Sequence, residues 1–379
     1  MKWLFVTAEF PWPLDHGTYL RVYHLARVMA SEGDEVAVLA PRGDGTGRRA
    51  YADEGVAVLD GPAAGPTTTY RGAHPPNEAL ARAVAAWASD ADVAVLVHTR
   101  ALQHAPVARA ACVVADLVDD LVIEERRKLW RDLRPLAWGR RARFLARQRA
   151  YERRFVPAVD LATFVSDVDA GAFARRHRAA AVGVVPNGVD AAHFDPPQPQ
   201  RTASPTVLFV GRLCHPPNAD AGRYLLGPVG SHLRRIAPEA RIVIVGGDAP
   251  ADLHALAGAN DRITGRVEDV RPHLWDASVV ALPMRIGTGV KNKLLEAWAA
   301  GKAVVATTLA CQGVPAAPGE NLLVADTPAE LAAAIASLLA DPTRRDQLGR
   351  RGRRTVLDHL TWPSAAATLR RLVDQVPKR

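Results

Sequence analysis

A chain of 379 residues is long for a single core and points to two domains of ordinary size. Its 48% apolar and 23% charged content is normal for a soluble globular protein, and the uncharged stretch 303–319, broken by glycines and prolines, is too short to span a membrane. The net charge is +8, and three widely separated cysteines (Cys112, Cys214, Cys311) with scattered histidines exclude a disulfide framework or zinc site, so no metal or bound cofactor is expected.

In chain order, residues 1–9 place Glu9 where a signal peptide needs a long apolar region, so they read as the first β-strand of a cytoplasmic protein. Strand 2–8 runs into a Pro/Gly loop over 10–17. A helix then carries Val22, Leu25, Ala26 and Met29 at i, i+3, i+4 and i+7 and stops near Gly33; strand 35–40 completes a βαβ unit. A further strand, 93–97, leads into His98. Between Arg126 and Arg154, arginines interleave with Trp130, Leu133, Leu136, Trp138, Phe144 and Tyr151. Such a basic amphipathic stretch (126–154) suits an anionic membrane surface or an acidic acceptor. No helix-turn-helix, finger or aromatic RNA-binding motif accompanies it, so no nucleic-acid partner is expected.

Residues 195–205 are proline-rich, polar and aperiodic, which marks a domain boundary. Strands over 206–212, 241–247, 278–283 and 303–307 then alternate with helical segments. The expected fold class is α/β, with two doubly wound parallel-sheet domains over 1–200 and 201–359 and a last helix, 360–379, crossing back onto the first. Ligands of such domains are expected at the carboxyl ends of the strands, in a cleft both domains face.

The stretch Gly287-Thr-Gly-Val-Lys-Asn-Lys-Leu-Leu-Glu296-Ala-Trp-Ala-Ala-Gly301 is the most informative. Leu294, Ala297 and Trp298 at i, i+3 and i+4 give a helix one buried side, while Asn292, Lys293 and Glu296 share another. Gly301 suits the left-handed residue that ends a helix. A helix N-terminus behind Gly287 and Gly289 offers unpaired N–H groups to a phosphate. Glu296 then lies about two turns in, roughly 10 Å from Gly289 at 1.5 Å per residue, about the distance from a diphosphate to a ribose. Neither loop after a first strand reads G-x-G-x-x-G, and neither a P-loop nor a G-x-S-x-G elbow occurs. Classical dinucleotide binding, P-loop phosphoryl transfer and α/β-hydrolase chemistry are therefore disfavoured.

Val185-Pro-Asn-Gly-Val-Asp190, Phe209-Val-Gly-Arg-Leu213, Gly265-Arg-Val267, Leu282-Pro283 and Lys293-Leu-Leu-Glu-Ala-Trp-Ala-Ala-Gly301 occur in that order. The series resembles the retaining family-4 glycosyltransferases of the GT-B fold, which move a sugar from a nucleotide diphosphate donor. Asp119-Asp120, Tyr151-Glu152 and Phe164-Val-Ser166 resemble a branch associated with exopolysaccharide synthesis. The resemblance implies that Arg212 pairs with the donor diphosphate, that Glu296 takes the ribose hydroxyls, and that Gly265, Arg266 and Val267 edge the nucleobase. It implies that the loop through His16 and Gly17 caps the diphosphate and that His98 faces the sugar. Gly287, Thr288, Gly289 and Val290 would hold the phosphate and sugar end.

Two positions depart from the family pattern. Thr288 stands where a carboxylate usually reads the sugar, and His215-Pro-Pro-Asn218 occupies the loop where a basic residue is common. Lys291 or Lys293 would supply the missing charge. The implied reaction is metal-independent: an acceptor hydroxyl attacks the anomeric carbon from the face the UDP or GDP leaves, with Arg212, Lys291 and His98 around the reacting groups and the departing phosphate taking the proton. The acceptor would be a sugar, a lipid-linked sugar or a natural-product aglycone. A sugar-nucleotide epimerase using Asp15, Asp119 or Asp120 is the competing enzyme class, and nucleotide release only when an acceptor is added would separate the two. A binder that has lost its donor site is the non-enzymatic one.

Overall fold

A computed structural model describes residues 1–62, 77–131, 135–178, 180–196, 205–287 and 289–377. The chain falls into two units: Met1–Asn187 together with the segment from Trp362 onward, and Gly188–Thr361. The proline-rich boundary at 195–205 lies largely outside the described residues, as does Thr288.

The first unit holds a seven-stranded sheet: β1 (Lys2–Val6), β2 (Glu35–Pro41), β3 (Ala57–Gly61), β4 (Val93–Val97), β5 (Cys112–Val118), β6 (Leu161–Phe164) and β7 (Ala181–Val184). All pairs are parallel and the order is β3-β2-β1-β4-β5-β6-β7. Successive side chains of a strand leave opposite faces. In β1, Trp3 and Phe5 accordingly pack with Leu25, Met29 and Leu369, and Leu4 and Val6 with Leu80, Leu96 and Phe164. Both faces are covered, which is why β4 reads as an unbroken apolar run. The last helix, Trp362–Asp374, packs on the helix Gly17–Ser31, where Trp362 stacks on His24 with ring centroids 5.0 Å apart.

The second unit has six parallel strands: β8 (Thr206–Val210), β9 (Arg241–Val245), β10 (Arg262–Ile263), β11 (Val279–Leu282), β12 (Ala303–Ala306) and β13 (Leu323–Val324), ordered β10-β9-β8-β11-β12-β13. Each sheet reverses its order once, between β1 and β4 in the first and between β8 and β11 in the second. A crevice opens at the carboxyl ends of the strands at such a reversal.

The helix Asn292–Ala299 buries Leu294, Ala297 and Trp298 completely, as their spacing predicts. It ends in a Schellman arrangement: Gly301 has φ +67°, its N–H donates to the Trp298 carbonyl, and the Lys302 N–H donates to the Ala297 carbonyl, both at 2.9 Å. The helix begins at Asn292, later than the glycine turn alone indicates, because Gly287 (φ +116°) and Gly289 (φ +66°) hold the preceding residues outside helical space. Glu296 is therefore about one turn into the helix, roughly 6 Å from its start at 1.5 Å per residue, and not two.

Candidate functional site

In the second unit the loop after β8 and the helix after β11 flank the reversal point, and the sequence-predicted donor residues stand on them. Arg212 is exposed on the β8 loop, with its Nη2 3.8 Å from the Cys214 Sγ. Lys293 reaches the same loop from the helix: its Nζ donates to Asn218 Oδ1 at 2.6 Å and lies 4.5 Å from the Phe209 ring centroid. Asn218 Nδ2 donates in turn to the Arg212 carbonyl at 2.9 Å. A Cβ on Gly211 would come within 2.8 Å of that Nζ. Lys293 thus occupies space beside the loop where the family pattern places its own basic residue. In the sequence Asn218 is visible only as part of the loop lacking that residue; its bridging role depends on a partner 75 positions away.

Lys291 is 9% exposed and is the N-cap residue of the helix, its side chain turned away from the helix's first N–H groups. Its Nζ donates to the Gly289 carbonyl at 2.7 Å, folding back over the glycine turn. Val290 packs against the core, and Thr288 is outside the described residues. Burial pulls the Lys293 ammonium down to about 7, Lys291 adding to the effect and Glu296 opposing it. Burial also pushes the Glu296 carboxyl up, against the attraction of Lys293.

The loops after β8, β9 and β10 are tied together at the sheet's carboxyl edge. The Gly211 N–H donates to the Val245 carbonyl at 2.9 Å and the Gly246 N–H to the Gly265 carbonyl at 3.1 Å. A Cβ on Gly246 would stand 1.9 Å from the Gly211 carbonyl oxygen, so only glycine allows this approach. Arg266 is exposed beyond this contact and Val267 packs inward on the core.

In the first unit, Gly17 is the first residue of the helix Gly17–Ser31, and His16 is its cap, accepting the Thr18 N–H at 3.4 Å. His98 directly follows β4 with φ +65°, a conformation a non-glycine residue adopts only where its surroundings impose it. Both histidines line a cavity of about 230 Å³ at the β1–β4 reversal, together with Thr7, Glu9, Tyr19 and Arg100. Sequence reasoning singled out none of these last four as site residues; the available signal was position, Thr7 and Glu9 just beyond β1, Arg100 just beyond β4 and Tyr19 in the first turn of the helix Gly17–Ser31.

The other sequence markers serve architecture. Arg21, fully buried, makes a two-pronged ion pair with Asp116 (2.7 and 3.0 Å), and its Nη1 donates to Asn187 Oδ1 at 3.0 Å. The Pro-Asn-Gly motif at 186–188 thus closes a polar cluster that also includes the Thr163 hydroxyl, donating to Asp116 at 2.8 Å. Asp120 is 2% exposed and pairs with Arg176 at 2.8 Å; Arg176 also reaches Glu152, which accepts from His177 at 2.9 Å. Ser166 donates to Asp169 at 2.5 Å, and the Tyr151 hydroxyl donates to the Thr99 carbonyl at 2.9 Å. Asp120 thus ties the end of β5 to the helix of Arg176 and accepts the Val122 N–H at 2.9 Å at the start of the helix Leu121–Arg131.

Residues 17–193 match the family described as Glycosyltransferase Family 4, and residues 204–341 match that described as Glycosyl transferases group 1. The chain is 31% identical over 228 residues to the D-inositol 3-phosphate glycosyltransferase of Xylanimonas cellulosilytica, covering 52% of each chain. It is 32% identical over 248 residues to the GDP-mannose-dependent alpha-(1-6)-phosphatidylinositol monomannoside mannosyltransferase of Mycobacterium tuberculosis, covering 58% of this chain and 63% of that protein. The matched part thus spans between half and two thirds of these relatives. Among solved structures, Anabaena HepE in complex with UDP superposes with a TM-score of 0.74 at 18% identity, over 99% of this chain and all of that one, which shows a common GT-B fold.

Proposed function

With glycosyltransferase families matched in both halves, the chain belongs to the family-4-like glycosyltransferases, and from that premise we propose that it moves a sugar from UDP or GDP to an acceptor hydroxyl with retention. The observation that carries this reading is the cluster of Arg212, Lys293 and Glu296 at the start of the helix Asn292–Ala299. A guanidinium fork suits diphosphate oxygens, and the partial positive charge of a helix N-terminus adds to the potential at the same place. Glu296, one turn further, is proposed to hold the ribose hydroxyls; Gly265, Arg266 and Val267 are proposed to edge the base.

In the proposed step the acceptor oxygen forms its bond to the anomeric carbon as the bond to the diphosphate oxygen breaks. Arg212 and Lys291 stabilise the charge that develops on the leaving group, and the leaving phosphate oxygen takes the acceptor's proton. The charge on Arg212 and the lysines makes a metal unnecessary.

The test is thermal unfolding with UDP and with GDP in buffer containing EDTA. A diphosphate at ~100 times its Kd adds about 2.7 kcal/mol, which raises the midpoint by about 5–10 °C at roughly 2–4 °C per kcal/mol. Lys293 is neutral above about 7 in the free protein, and a bound diphosphate favours its charged form. Binding therefore takes up a proton, and the protection declines as pH rises from 7 to 9. No protection by either nucleotide would refute the proposal; a pH-independent shift would remove Lys293 from it.

Among the described residues no helix is long and apolar enough to cross a membrane. The helix Pro135–Phe155 nevertheless leaves Leu136 84% and Trp138 50% exposed beside the exposed Arg140, Arg143 and Arg147. A cytoplasmic enzyme working at an anionic membrane face on a lipid-linked or polysaccharide acceptor is the reading this favours. It predicts binding to anionic phospholipid vesicles that weakens as salt rises and as Leu136 and Trp138 are replaced by glutamate. Equal partition onto zwitterionic vesicles would count against it.

A further inference from the structure

Pro216-Pro217-Asn218 opens the helix Pro216–Tyr224, directly after the loop of Arg212. Proline suits the first positions of a helix, because an N–H there has no intrahelical partner to lose. Asn218 follows in the first turn, and its backbone N–H donates to the His215 carbonyl at 2.9 Å. The same helix is tied to the loop after β11 by Asp220, which accepts from Arg285 at 3.1 Å. Backbone and neighbours thus fix where the Asn218 side chain starts, and both ends of its amide are engaged. Oδ1 accepts from Lys293 Nζ at 2.6 Å, and Nδ2 donates to the Arg212 carbonyl at 2.9 Å. An ammonium has no acceptor and a carbonyl no donor, so only one orientation of the amide satisfies both.

Lys293 is confined on other sides as well. Its Nζ lies 4.5 Å from the Phe209 ring centroid, and a Cβ on Gly211 would come within 2.8 Å of both that Nζ and the Asn218 Cγ. Glu296 on the same helix and Lys291 just before it are the charges that act on the ammonium. The loop after β8 adds Arg212, Cys214 and His215, all exposed. Burial pulls the ammonium down to about 7. The Asn218 oxygen works against that, since it accepts more strongly from the charged form, and it does so without a charge of its own. An aspartate in its place would set a negative charge against the lysine and could not donate to the Arg212 carbonyl. A leucine would make neither bond.

We propose that Asn218 is a positioning residue of the donor site, which aims the Lys293 ammonium at the diphosphate and locks it to the loop carrying Arg212. The inference rests on the donor reading above. Its test is titration calorimetry of the full chain with UDP and with GDP, from about pH 6 to about pH 9, on wild type, Asn218→Asp and Asn218→Leu. The unfolding midpoint without nucleotide shows that each variant folds; Asn218→Asp is isosteric and decides alone if the leucine variant does not. Wild-type affinity should fall above about pH 7, where Lys293 of the free protein loses its proton. Near the acid end Asn218→Asp should bind about tenfold more weakly, the scale of a hydrogen bond to a charged group. Its decline should begin at higher pH, because a carboxylate holds the lysine charged. Asn218→Leu should lose a similar factor, but its decline should begin at lower pH, because burial then meets less opposition. Opposite displacements are what a merely structural role would not produce. Unchanged affinity in either folded variant, or weaker binding with the wild-type pH profile in both, overturns the inference and leaves the donor reading standing. A wild type that binds with no pH dependence does the same. Failure of the folded wild type to bind either nucleotide overturns both.

Discussion

Replacing Arg212 by alanine should lower acceptor-dependent nucleotide release by about 10²–10³-fold, the scale for removing one preorganised donor from developing charge. Arg212 stands on the loop that Asn218 and Lys293 brace, so the substitution removes the guanidinium without disturbing a buried contact. Its effect should fall on kcat, since the diphosphate gains charge only as the glycosidic bond breaks. Glu296→Ala should cost a comparable factor in kcat/KM but act partly through donor KM, because a ribose contact serves the bound substrate as well as the transition state. Steady-state kinetics on both variants separates the two patterns. Wild-type turnover in either one would sink the donor-site assignment.

The largest stability effect is expected from Arg21→Ala. Arg21 and Asp116 are 0% and 2% exposed in their side chains, and the carboxylate lies against the sheet with Thr163 as its other partner. Removing one member of a buried pair leaves the other charge uncompensated and costs about 3–5 kcal/mol. At roughly 2–4 °C per kcal/mol the unfolding midpoint should drop by about 6–20 °C. Arg21→Lys should recover only part of this, since an ammonium cannot span both carboxylate oxygens and Asn187 together. A double replacement, Arg21→Met with Asp116→Leu, should be less destabilised than either single change. A midpoint within 2 °C of wild type for Arg21→Ala would show the pair to be dispensable.

Much of the architecture was legible in the residues. Apolar runs such as 93–97 and 303–306, separated by helical periodicity, are enough to indicate parallel sheets covered on both faces. Leu294, Ala297 and Trp298 mark the buried side of their helix, and Gly301 its end. The start of that helix was less legible, because Val290 and Lys291 fit a helical pattern and only the observed backbone, turned at Gly287 and Gly289, delays it to Asn292. The motif residues Asn187, Asp120 and Glu152 could be recognised without their roles being readable. Their burial, the hydrogen bonds of Asn187 with Arg21 and of Glu152 with His177, and the ion pairs of Asp120 and Glu152 with Arg176 give them structural work that no spacing announces.

The sequence by itself determined the fold class, the family and the stretch now proposed to hold the donor. All three follow from order along the chain: period-two and period-3.6 patterns, turn glycines, and motifs whose internal spacing is short. Tertiary structure alone decided that Lys293 stands at the β8 loop, that Asn218 joins it to Arg212, and that Thr7, Glu9, Tyr19 and Arg100 share one cavity wall. The physical reason is range. A helix or strand declares itself over a few residues, whereas Lys293 and Asn218 are 75 positions apart and Arg100 and Glu9 are 91. Such pairs meet only because the order of a parallel sheet reverses, bringing the ends of distant strands side by side.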